Sequence, residues 1–161
     1  MKNLPWKSSA LITLLMAIAI TLTTTKTRAE GVTENGFGLG IALGNPAGIS
    51  ASLPVGPNNA FDVLVGYEFT GKPNVTLLGD YVWHLRDLLS VDPGKASLYY
   101  GPGVRARIGE DPEIGLRVVL GIDYIFQDTP LQAFFEVCPG VNVLPRTNPF
   151  ATVGLGARYY F

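Results

Sequence analysis

One cysteine and one histidine occur in the 161 residues. Cys138 has no second thiol in the chain, so an intramolecular disulfide is excluded, and no CxxC or zinc-ligand spacing exists. The lone His84 narrows any acid–base or nucleophilic chemistry to one imidazole. Long apolar runs are also missing. The longest, Ala10 to Leu22, has 13 residues, short of the ~20 that a membrane-spanning helix needs. After residue 30 no helical period of useful length is found. A basic stripe, the footprint of a nucleic-acid partner, is absent as well.

The 13-residue run follows Lys2 and Lys7 and leads into T-T-T-K-T-R-A-E, with Thr27 and Ala29 at the −3 and −1 positions of a cleavage site. A basic start, an apolar centre and a small-residue exit predict a secretory signal over 1–29 and a mature domain over 30–161. Removing that leader takes away Lys2, Lys7, Lys26 and Arg28. Eight basic and thirteen acidic residues then remain, a net charge of −5.

What is present is alternation. Eight runs at about 36–44, 47–53, 60–70, 74–84, 97–108, 113–126, 131–143 and 150–161 change character at every residue. Gly or Pro with Asn or Asp fills the connections, the chemistry of tight turns. Only 85–96 is long, and it is expected to be a loop or partial lid. Short links between consecutive strands imply antiparallel hairpins and an all-β, eight-stranded, up-and-down barrel.

Sorting by parity gives two faces. One holds Leu39, Ile41, Val63, Val65, Leu77, Val104, Leu116, Val118, Val137, Val153 and their alternates, with no charge. The other holds Asp62, Glu68, Asp80, His84, Arg105, Arg107, Glu113, Arg117, Asp123, Glu136 and Arg158, with most of the glycines. A soluble barrel would bury the first set; a membrane barrel turns it to lipid and encloses the second. The glycines favour the second arrangement. An eight-stranded interior is only wide enough for side chains, and small residues there make room for Arg and Tyr. The aromatics agree. With both termini at the periplasmic end, Phe37, Phe61, Trp83, Tyr100, Phe126, Tyr159 and Phe161 fall at one level, as an interfacial girdle does. Eleven residues of strand at ~3.3 Å, tilted ~45°, give an apolar band of roughly 25 Å.

On G-L-G-I-A-L-G-N-P-A-G, D-Y-V-W-H, L-Y-Y-G-P-G and the terminal V-G-L-G-A-R-Y-Y-F, the chain resembles small bacterial outer-membrane barrels of the OmpA/OmpX type and a family of uncharacterised small barrels. The resemblance implies an outer-membrane location, contact with outer-membrane lipid, and recognition of the last strand by the barrel assembly machinery. It carries no catalytic motif. The short connections depart from OmpX-like barrels and speak against a protruding adhesion surface.

Inside such a barrel, unpaired charge is costly, so Asp62, Glu68, Asp80, His84, Arg105, Arg107, Arg117, Asp123, Glu136 and Arg158 are expected to form a salt-bridged plug. Arg158 is expected to meet Glu136 or Asp123, and Arg105 and Arg117 to share Glu68, Asp80 and Glu136. Gly154 and Gly156 are expected to face Gly38 and Gly40 at closure. The leading expectation is a monomeric, non-enzymatic envelope protein without cofactor or metal. The alternatives are a narrow, porin-like solute pore or small-ligand binder using Arg105, Arg107 and Arg117, and a lipid-modifying enzyme. The enzyme is disfavoured because His84 sits at the periplasmic end while lipid A lies in the opposite leaflet.

Overall fold

The computed structural model describes residues 36–69, 74–89 (the last three by backbone only) and 94–161. The expected leader over 1–29 lies outside the described residues. Eight strands follow one another: β1 (Gly38–Gly44), β2 (Ala47–Pro54), β3 (Asn59–Glu68), β4 (Asn74–Leu89), β5 (Lys95–Ile108), β6 (Glu113–Ile125), β7 (Leu131–Leu144) and β8 (Asn148–Tyr160). Each pairs antiparallel with the next, and β8 pairs with β1 to close the barrel.

The turns are tight because their residues allow it. Gly44 adopts φ +144° at the end of β1, a conformation L side chains rarely take. Closure removes the two free edge strands of an open sheet, so that most of the strand backbone is paired; residues 148–153 of β8 run on beyond the pairing with β1.

The ladder fixes the geometry. Starting from Gly40, successive partners are Ser50, Leu64, Leu78, Arg105, Gly115, Asn142 and Asn148. By the pairing of β8 with β1, that walk returns ten residues further along the line of β1. A ten-residue stagger at ~3.3 Å, spread over eight strands ~4.8 Å apart, means a strand tilt of about 40°. The interior is correspondingly narrow.

Two expectations need correction. The expected long connection over 85–96 is mostly strand. β4 continues to Leu89 and β5 begins at Lys95, with a register shift between Leu85 and Leu89. This hairpin extends beyond its neighbours at the end that carries the termini. The closing register also differs. Gly38 faces Tyr160 and Gly40 faces Arg158, while Gly156 faces Ala42 and Gly154 faces Gly44. Large side chains are set against small ones at this seam. A Cβ on Gly38 would stand 3.0 Å from the Tyr160 ring.

The two faces separate by strand parity. Leu39, Ile41, Val63, Val65, Leu116, Val118, Leu120, Val153 and Leu155 point out and are exposed. Asp62, Glu68, Asp80, Arg105, Arg117, Asp123, Glu136 and Arg158 are buried inside, beside Leu64, Leu78, Val82, Val119 and Phe134. The outer surface is apolar and the core is largely polar, the reverse of a water-soluble barrel.

Candidate functional site

The enclosed charges lie in three layers along the barrel. Nearest the termini, the Arg158 guanidinium spans the barrel to β3. Its Nη1 donates to Asp62 Oδ2 at 2.8 Å and its Nε to Ser50 Oγ at 2.8 Å. Ser52 donates to the other Asp62 oxygen at 2.7 Å. The guanidinium also lies over the Phe134 ring, 4.2 Å from its centroid, a favourable cation–π placement. Asp123 accepts from Ser97 and from Gln132. Gln132 Oε1 in turn accepts from the Tyr160 hydroxyl at 3.1 Å.

His84 stands at the same level. Its Nε2 is 3.7 Å from Asp123 and its ring is tilted against Tyr99, with centroids 5.3 Å apart. Its Nδ1 is buried without a hydrogen-bond partner. A small recess with room for about one water molecule opens here, lined in part by Asn59, His84, Arg86, Asp123 and Tyr160.

The middle layer turns on Arg117. Its Nε and Nη2 grip the two oxygens of Asp80 at 2.9 Å each, the bidentate fork that makes guanidinium–carboxylate pairs strong. Nη1 donates to Thr152 at 3.2 Å and Nη2 reaches Glu136 at 3.4 Å. Tyr99 donates to the second Glu136 oxygen at 3.3 Å. Here one arginine serves two carboxylates.

The third layer, at the far end, is balanced. Arg105 donates to Glu68 at 2.6 Å and Arg107 pairs with Glu113 at 2.6 Å. Longer approaches of 3.5 Å (Arg107 to Glu68) and 4.0 Å (Arg105 to Glu113) link the four. Thr76 donates to Glu68 and Asn142 to Glu113, both at 2.8 Å. The Arg105 guanidinium stacks over Phe150 at 4.6 Å.

The structure thus brings together Arg105 with Glu68, and Arg117 with Asp80 and Glu136. It separates Arg158 from the partners expected of it. Asp62 takes that role because Gly40, Ser50 and Ser52 on the intervening strands are small enough to let the guanidinium cross. Glu136 is engaged one layer up, and Asp123 is held by Ser97 and Gln132. The expected network of charges did not include the hydrogen-bonding neutral residues Ser50, Ser52, Thr76, Gln132, Asn142 and Thr152, or the inward rings Tyr99, Phe134 and Phe150. All share the parity of the charged set, which was the signal available for finding them.

Glycines complete the packing. A Cβ on Gly121 would stand 2.1 Å from the Tyr99 ring, one on Gly156 would stand 2.4 Å from Phe134, and one on Gly103 would strike the Asp80 carboxylate. Outside, near the termini, aromatic rings form edge-on pairs. Phe61 meets Tyr81 and Tyr81 meets Trp83 at 4.8 Å, and Tyr159 meets Phe161 at 5.0 Å.

Fold and site define a class: a closed eight-stranded antiparallel barrel with an apolar exterior and a hydrogen-bonded ionic interior. Comparison with protein-family models, curated proteins and solved structures found no match. Among the described residues no cluster of three or more His, Cys, Asp and Glu is arranged to hold a metal ion.

Proposed function

We propose that the chain is an integral outer-membrane barrel with a structural, envelope-supporting role and no catalysis, and that its ion-paired interior keeps the lumen shut. The observation that carries this reading is the inverted distribution of burial. Val118, Leu116, Leu155 and Ile41 are 50–59% exposed, whereas Asp62, Arg117, Asp123 and Arg158 are 2–5% exposed. In water the outer surface would be one continuous apolar patch, far larger than soluble monomers expose. Against hydrocarbon the same surface is the favourable one. The aromatic girdle at the terminal end suits an interface with lipid headgroups.

The interior favours a plug over a pore. Each of Arg105, Arg107, Arg117 and Arg158 is committed to a carboxylate, which leaves no free arginine cluster among these four to select a solute. His84 faces a carboxylate that two other donors already occupy, and the Ser97 hydroxyl is spent on that same carboxylate. Neither arrangement activates a nucleophile.

Cell fractionation with a gel-shift readout tests location. The expected result is outer-membrane recovery and a folded band that migrates differently after boiling. A mature protein that stays soluble without detergent would refute the membrane reading. Planar-bilayer recording tests the plug: the expected result is no steady conductance, and stable nanosiemens openings would overturn it.

A further inference from the structure

The wall of this barrel is not the same height all round. β1 has 7 residues and β2 has 8, against 16, 14, 13, 14 and 13 in β4 to β8. A tilted membrane strand needs ~9–11 residues to cross hydrocarbon. Apart from the β4–β5 hairpin, which also extends at the terminal end, the shortfall is at the far end. Near the termini, β1 and β2 finish level with their neighbours. At the far end the pairing stops at Gly44 on β1 opposite Gly154, and β8 runs on six residues further, to Asn148. Corrected for the tilt, the Asn45–Pro46 turn lies about 10 Å below the rim formed by β4 to β8.

What stands behind this gap is polar. Arg105 reaches across the barrel from β5 to Glu68 on β3 and to the Phe150 ring on β8, the two strands that flank the short hairpin. Below it, a small recess with room for about one water molecule is lined by Asn45, Pro46, Leu64, Leu78, Arg117 and Glu136. A bilayer of full thickness at this sector would set acyl chains over the barrel mouth, beside the Arg105–Glu68 pair, where water or headgroups would otherwise lie. That contact is unfavourable, because hydrocarbon offers no hydrogen bond to a buried charge.

We propose that the gap above the β1–β2 hairpin is a lipid-docking notch, where the headgroup layer of the outer leaflet descends onto Asn45–Pro46 and the bilayer thins locally. This rests on the membrane reading above. The apolar residues Leu39, Ile41, Leu43, Ile49 and Leu53 cover the short wall beneath the notch and set the reduced thickness there. Hydrophobic mismatch of this kind is met by bilayer thinning at a modest cost per ångström.

The experiment has two readouts. The mature chain is refolded into phosphatidylcholine vesicles of increasing acyl length. It is compared with a variant whose β1 and β2 are each lengthened by two residues beside the Gly44–Pro46 turn, one outward apolar and one inward small. The expected result is that the native chain folds best in thin bilayers and the variant's optimum moves to chains longer by about two to four carbons. Identical optima would overturn the proposal. The second readout is depth. A fluorophore on Asn45→Cys should be quenched by headgroup-attached quenchers, and one on Thr147→Cys should lie beyond them in water; the native thiol of Cys138 is buried and does not compete. Quenching of the Asn45→Cys label by mid-chain quenchers would place the turn in hydrocarbon and overturn the proposal. Failure to fold in any vesicle, with a soluble barrel instead, would refute the membrane reading itself, an outcome distinct from both.

Discussion

Arg117 and Val118 are consecutive in β6, yet their surroundings are opposite. The Arg117 side chain is 1% exposed and the Val118 residue is 50% exposed. In a soluble protein the pair would be reversed. On the membrane reading proposed above, one strand answers two different solvents. The inward face is stabilised by mutual satisfaction of charges, and each member is needed. The outward face is uniformly apolar, and in the proposed membrane setting each member contributes only through its contact with hydrocarbon.

The largest effect is expected from breaking the inward face. Arg117→Ala leaves Asp80 and Glu136 buried without their cation, and should cost about 3–5 kcal/mol. Urea unfolding from micelles or vesicles measures it. Adding Glu136→Gln should recover part of that loss by removing one of the two stranded charges. No recovery would mean that Glu136 is not electrostatically coupled to the arginine.

The matching outward change, Val118→Arg, places a charge near mid-height of the apolar band. In a bilayer it should cost about 2–4 kcal/mol. The same change on a water-facing surface would be close to neutral, so the folded fraction in vesicles sharpens the comparison directly. A smaller loss is expected for Gly121→Ala. The added methyl displaces the Tyr99 ring and disturbs its bond to Glu136, an overpacking cost of about 1–3 kcal/mol, visible as a lower unfolding midpoint. The smallest is expected for Arg107→Ala. This side chain is 20% exposed at the rim, its partner Glu113 is similarly open to water, and Glu68 keeps Arg105. A pair so placed is worth about 1 kcal/mol or less. A loss as large as that of Arg117→Ala would show that the rim is sealed from solvent.

Alternation has period two and is local, so every strand declared its own faces. That is why eight strands, their antiparallel order and the inward set of charges were legible from spacing and turn residues alone. The extended β4–β5 hairpin was not, because L-R-D-L-L-S-V-D-P-G-K-A breaks the alternation while still pairing through a register shift.

The sequence by itself determined which residues share a face and that the faces differ in kind, since a one-residue slip would exchange them all. Only the closed structure decided who meets whom. Arg158 finds Asp62 across 96 positions of sequence, because stagger and curvature bring β8 beside β3 and small residues on β1 and β2 clear the path. The unequal height of the wall also belongs to the closed structure. Strand length can be counted in the sequence, but a notch exists only when the short hairpin is set, at a tilt, between longer neighbours.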